Sequence, residues 1–174
     1  MHLLTRGALL KYGAVLAITG VPPDGDLAYA RLLVATELLL DDFYSQALKT
    51  AFLDNATMAE ALANERAHYR GLKAILGESG QVAASAADIN FSYPADAFAS
   101  TASLRRTGAA LESLQLGAYL GAADAVSSEP LRGIAARVAA NEAQHLCFFE
   151  PFHASFPVAL TIEQASDALG RYTS

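Results

Sequence analysis

Through the stretch from residue 26 to residue 51, Ala30, Leu33, Val34, Leu40, Tyr44, Ala47 and Ala51 recur at three- and four-residue steps, with one acid, Glu37, set in the middle of the stripe. That period is the period of a helical face. A second stripe runs through Met58, Ala61, Leu62, Glu65, His68, Tyr69, Leu72 and Leu76, and a third through Leu104, Gly108, Leu111, Glu112, Gln115, Tyr119, Ala122 and Val126. A fourth takes Ala135, Val138, Glu142, His145, Leu146 and Phe149. Four long helices are predicted, each with ionisable groups on the face that should turn inward.

Local signals mark their ends. Asp26 reads as the cap of the first helix. The turn Asp54-Asn55-Ala56 leads into Thr57-x-x-Glu60, a capping box for the second, which stops at Gly77. Ser100 or Ser103 can start the third, and Ser127-Ser128-Glu129-Pro130 is a turn and the start of the fourth, with proline tolerated in the first turn. Pro151 bends or ends that helix. After Pro157, Thr161-x-x-Gln164 opens a short fifth helix that runs to Leu169 and ends at Gly170. The short first turn makes helices one and two antiparallel neighbours. Residues 78–99 hold no sustained stripe, and a connection of that length is uncommon unless it must run the length of a bundle. Phe91, Tyr93 and Phe98 would pin it down as hydrophobic anchors. The pattern predicts an all-α fold, an antiparallel four-helix bundle with one long crossover and a short C-terminal helix, and no strand pair or Gly-rich phosphate loop competes with it.

Composition narrows the function classes. The 174 residues suit one domain, placed at 26–174, and 53 % of them are hydrophobic against 17 % charged, as close helix packing favours. A formal charge of −6 offers no basic surface, so no nucleic-acid partner is expected. The single cysteine, Cys147, rules out an intrachain disulfide and a cysteine-built zinc or iron–sulfur site. Lying about 200° around the helix from His145, it reads as an ordinary packed thiol. Residues 1–25 form a separate N-terminal segment. Thr5-Arg6-Gly7-Ala8-Leu9-Leu10-Lys11 looks like a degenerate twin-arginine motif ahead of the apolar run Tyr12–Val21, but no convincing cleavage site precedes Asp24. The segment reads equally as an export leader or as a short helix packed on the bundle, which leaves both a cytoplasmic and an exported protein open; the run is too short to span a membrane by itself.

The chemistry is concentrated in a repeat. Ala63-Asn64-Glu65-Arg66-Ala67-His68 and Ala140-Asn141-Glu142-Ala143-Gln144-His145 are nearly the same hexapeptide, each a Glu-x-x-His. At that spacing on a helix a carboxylate and an imidazole lie about 60° apart and one turn apart, so they can converge on one point. Upstream of each copy stands one further acid on an apolar face, Glu37 and Glu112, followed seven residues later by Tyr44 and Tyr119. The two halves of the chain are one unit written twice.

On these residues the chain, over roughly 26 to 153, resembles the ferritin-like di-iron carboxylate superfamily, in which one Glu from each of two helices and a Glu-x-x-His from each of two others hold a pair of metal ions. The long joint is then the crossover of a ferritin-like topology. The resemblance implies a metal set of Glu37, Glu65, His68, Glu112, Glu142 and His145: Glu65 and Glu142 bridging two ions, Glu37 and Glu112 terminal, His68 and His145 capping one ion each. Oxygen-rich ligation with two imidazoles suits iron or manganese, and four carboxylates balance two divalent cations. Without metal, repulsion and burial would raise the carboxylate pKa values. Asn64 and Asn141 are plausible acceptors for the outer ring nitrogens, where many relatives carry Asp. Tyr44 and Tyr119 are the catalytic candidates, placed to hydrogen-bond a ligand carboxylate or to supply an electron, though a core role fits each as well. Asp41 reads as an acid at the stripe edge, near the metal region or solvated.

The function implied is an oxidoreductase of the ferroxidase or peroxidase type, with O2 or peroxide as small-molecule substrate and a separate protein as any electron donor. A non-catalytic ferritin-like protein associated with stress or desiccation is the alternative, and a homo-oligomer, including a storage cage, fits the length.

Overall fold

The computed structural model describes residues 23–150 and 157–173. Five helices follow one another: α1 (Asp24–Ala47), α2 (Asn55–Glu78), α3 (Thr101–Ala125), α4 (Glu129–Phe149) and the short α5 (Ile162–Leu169). No strand is present among the described residues, only an isolated bridge between Phe91 and Thr173. The fold is the all-α bundle with one long crossover that the stripes predict. The N-terminal leader or helix, and the effect of Pro151, concern residues outside those described.

Hairpins α1–α2 and α3–α4 are joined chiefly through α1 and α3. Cross-helix bonds set their direction: Tyr44 bonds Glu112 while Tyr119 bonds Glu37, so α1 and α3 run antiparallel. These two are the central helices, and α1 is buried nearly all round, from Leu32, Leu33 and Val34 to Leu38, Leu39 and Leu40. A helix that is apolar on every side is an interior helix. The outer helices α2 and α4 keep one wet face, which is where Cys147 sits. It is exposed rather than packed, because none of the described residues covers it.

Several boundaries differ from those read in the sequence. Asp26 does not cap α1, which starts two residues earlier behind Pro23. It is buried in the first turn and reaches the other hairpin, accepting the backbone N–H groups of Ser127 at 3.0 Å and Ser128 at 2.7 Å, with the Ser127 hydroxyl alongside. It therefore caps the start of α4, where its charge also meets the positive end of that helix. The α1 stripe stops at Ala47; Ala51 is exposed at φ 54° in the turn that follows. In α2 the cap is Asp54, whose carboxylate takes the Thr57 N–H at 2.9 Å, so Thr57 lies inside the first turn and forms no box with Glu60. That helix also outruns Gly77. It closes with Gly80 at φ +72°, its N–H bonded to Gly77 O and that of Gln81 to Leu76 O, the paired closure that a left-handed glycine permits. Of the two serines that could start α3, Ser100 is the cap and Ser103 completes a box with it, and Thr161 with Gln164 starts α5, as predicted.

The crossover is pinned as its aromatics suggest. Tyr93 donates to Leu39 O and to Asp42, and Tyr93 and Phe98 pack on the ring of Phe43. Returning past the bundle, the chain lays Val158 to Leu160 along the glycine side of α3: Leu160 N–H bonds Gly117 O at 2.9 Å, and a Cβ at Gly121 would collide with Leu160 O. No helix among the described residues is long and apolar enough to cross a membrane.

Candidate metal centre

Each long helix delivers its acid to mid-bundle because the acid occupies a core position of an apolar stripe. Glu37, Glu65, Glu112 and Glu142 are all 0 % exposed, with His68 and His145 at their edge. Burying an ionised carboxylate is expensive unless something pairs with it, so four in one place require a compensating charge.

The six groups form two overlapping sets. One holds Glu37, Glu65, His68 and Glu142, the other Glu65, Glu112, Glu142 and His145, and within each set one ligand atom per residue lies within 4.8 Å of the rest. Glu65 and Glu142 belong to both, and each offers one oxygen to each half. Glu142 Oε1 stands 3.0 Å from His68 Nδ1, and its Oε2 3.1 Å from His145 Nδ1. Glu65 Oε2 is 3.7 Å from His68 Nδ1, whereas its Oε1 is 2.8 Å from His145 Nδ1. Glu37 belongs only to the His68 half, at 3.6 Å, and Glu112 only to the His145 half, at 3.8 Å.

Around this core, Tyr119 donates to Glu37 and Tyr44 to Glu112, each phenol crossing from one central helix to the other. Burial, reinforced by the charge of the partner acid, raises the pKa of both phenols well above the usual value, so they remain donors. Asn64 crosses from α2 to α4, its amide nitrogen 3.2 Å from His145 Nε2. If Nδ1 of that ring faces a cation, Nε2 carries the proton, and the amide must turn over to accept it with its oxygen. The oxygen of the matching Asn141 is buried without a partner. Asp41 stays outside the cluster, held by Arg66 at 2.9 and 3.0 Å. Gln115, which the sequence places inward with no role, donates from Nε2 to Glu65 Oε2 at 2.8 Å. The signal for it was a polar residue three positions after Glu112, where the first half of the chain has Leu40.

The electrostatics differ from the uniform rise expected for four crowded acids. Burial, with repulsion from Glu65, lifts Glu37 well above its ordinary value, and burial lifts Glu112 likewise. Burial pushes Glu65 upward too, but hydrogen bonds from His145 and His68 outweigh it and bring its pKa down to about 2. Burial opposes charge on His68, yet its bonds to Glu142, Glu37 and Glu65 raise it to about 12, and His145 rises for the same reason. Without metal, the cluster is neutralised by protons.

A family profile described as the ferritin-like domain matches residues 25–151. The chain belongs to that family. A comparison with curated proteins returns no match. In a ferritin-like domain the fit of a cation can be judged from the atoms left over. Apart from the close Glu–His pairs given above, Glu37 Oε2, Glu65 Oε1, His68 Nδ1, Glu112 Oε2 and Glu142 Oε1 are buried without a hydrogen-bond partner. Buried polar atoms are almost always satisfied, and here all five lie on ligand-type side chains of one cluster. The cluster can hold a metal ion.

Proposed function

We propose that this ferritin-like protein is an oxidoreductase of the ferroxidase or peroxidase type, built on a dinuclear iron or manganese site held by Glu37, Glu65, His68, Glu112, Glu142 and His145. The observation that carries the reading is the pair of four-residue sets sharing Glu65 and Glu142. Two sets with two common carboxylates are what two bridged ions need, and four carboxylate charges balance two divalent cations. The donor set, oxygen with two imidazoles and no thiolate, favours iron or manganese.

When bound, such ions supply the one-electron redox steps by which O2 or peroxide is reduced. The chain does the rest. Glu65 and Glu142 would be shared by the two ions, while Glu37 and His68 would complete one half and Glu112 and His145 the other. Tyr119 and Tyr44 fix the rotamers of Glu37 and Glu112 through their hydrogen bonds. Each phenol would also give an electron to the oxidised ions, its proton passing to the acid it bonds, which is ionised when it holds a cation. Apolar walls from Leu33, Leu40, Leu111 and Ala122 keep bulk water out, which strengthens every charge interaction inside. With a single cysteine in the sequence, reducing equivalents beyond the ions and the tyrosines come from a separate donor.

Anaerobic protein given two equivalents of Fe2+ and then O2 or peroxide should develop the near-ultraviolet absorbance of ferric protein faster than buffer does. His68→Ala should slow this much more than Asp41→Ala. Equal rates for wild type, both variants and buffer would leave a non-catalytic ferritin-like protein.

A further inference from the structure

The two halves of the chain place the same groups at matching points: Glu37 and Glu112, Tyr44 and Tyr119, Asn64 and Asn141, Glu65 and Glu142, His68 and His145. One buried position touching the cluster breaks the match. Three residues after Glu37 stands Leu40, and three after Glu112 stands Gln115, both buried. Gln115 Nε2 donates at 2.8 Å to Glu65 Oε2, the oxygen on the His68 side, while Glu65 Oε1 faces His145 and takes no such bond. The other end of the amide, Gln115 Oε1, is buried without a partner. A glutamine kept for packing would leave neither end committed to a ligand carboxylate, and an unsatisfied buried carbonyl is costly. A second inequality points the same way. Asn64 engages His145 Nε2, whereas the oxygen of Asn141 has no partner.

Resting on the dinuclear reading, we propose that Gln115 is a positioning residue that makes the two metal positions unequal: the half formed with Glu112 and His145 binds a divalent cation tightly and first, and the half formed with Glu37 and His68 binds more weakly and exchanges. The physical reason lies in the shared carboxylate. An amide N–H on Glu65 Oε2 occupies a lone pair of that oxygen and draws charge from it, so it is a poorer donor to a cation on the His68 side. Glu65 Oε1 keeps both lone pairs for the His145 side. Asn64 adds to the difference by fixing the His145 ring, since a partner on the outer ring nitrogen orients a histidine ligand and raises its basicity. The repeat supplies two similar positions, and Gln115 with Asn64 ranks them. For a protein that oxidises Fe2+, the consequence is a division of labour, with a resident ion on the His145 side and an exchanging, substrate-type ion on the His68 side. His68 is also the more exposed ring, at 13 % against 8 % for His145.

The test uses Mn2+ alone, titrated into metal-free protein and read from the electron paramagnetic resonance of the free ion, so that no turnover is involved. His68→Ala and His145→Ala each leave one half intact. The site remaining in His68→Ala should be about tenfold tighter than the one remaining in His145→Ala, the scale expected when a ligand's supporting partner is gained or lost. Adding Gln115→Leu or Gln115→Met to His145→Ala should tighten its site, by freeing Glu65 Oε2, and close most of the gap to His68→Ala, while the same change in His68→Ala leaves its site nearly unmoved. Helical circular dichroism and melting curves show that each variant is folded, and the leucine and methionine versions guard against a packing defect in either one. Equal constants for the two single-half variants, or a difference that survives both Gln115 changes in folded protein, would overturn the ranking while leaving the dinuclear site in place. Wild type that takes up no Mn2+ would overturn the site and the ranking together.

Discussion

Both histidine rings reach Glu65 and lower its pKa, whereas burial raises those of Glu37 and Glu112. The sign of each contribution to stability follows. Glu37 and Glu112 have raised pKa values in the folded chain, so what they contribute is fully present below the usual carboxylate value and is lost as pH rises through their folded values. His68, raised to about 12, contributes fully below its ordinary value near 6.5 and loses that contribution as pH climbs toward 12. Glu65, lowered to about 2, contributes above its usual value and loses it as pH falls toward 2. Near neutral pH the metal-free cluster therefore holds protons that a cation must displace. Calorimetric Mn2+ binding at about pH 7, repeated in buffers of different ionisation heat, should show net proton release, with affinity rising between about pH 6 and 8. Heats that do not depend on the buffer would contradict this charge assignment. At this scale the sequence showed a great deal, because an acid or imidazole in an apolar stripe is conspicuous, and doubly so when it recurs. It did not show Gln115 as a partner of Glu65, since that pairing joins α2 to α3 and depends on their register.

Among the elements, Asp26 shows how tertiary structure chooses between local signals. Acid, serine and threonine caps are nearly interchangeable in sequence, so Asp26 looked like the cap of α1, and Thr57 looked like the cap of α2 where Asp54 serves. The choice was made by neighbours: the start of α1 meets the end of α3, which puts Asp26 against the free N–H groups of Ser127 and Ser128. Asp26→Ala should destabilise the protein by about 1 kcal/mol. Chemical denaturation is the measurement, and an effect below about 0.3 kcal/mol would show that the cap contributes little. Asp26→Asn, which keeps an acceptor but not the charge, should recover part of the loss. The boundary marked by a unique signal, Thr161 with Gln164, was legible outright, and at α3 the structure chose Ser100 over Ser103 as the cap.

At the level of the whole molecule, the bundle was readable because the chain repeats itself: two helix hairpins of the same design, with a joint long enough to carry the second back along the first. What the sequence could not supply was the contact that unites them, the antiparallel pairing in which Tyr44 meets Glu112 and Tyr119 meets Glu37. Nor could it show that the segment around Leu160 lies in the glycine groove of α3, because Gly117 and Gly121 read equally as weak points of a helix. On the dinuclear reading proposed above, this arrangement holds two cations between the hairpins. Metal-free protein equilibrated anaerobically with Fe2+ or Mn2+, freed of excess ion and analysed for its elements, is the direct test. Wild type should carry two metal ions per chain and Glu65→Gln/Glu142→Gln, which lacks both shared carboxylates, should retain none; wild type without metal, or a folded double variant that still carries two ions, would contradict that reading.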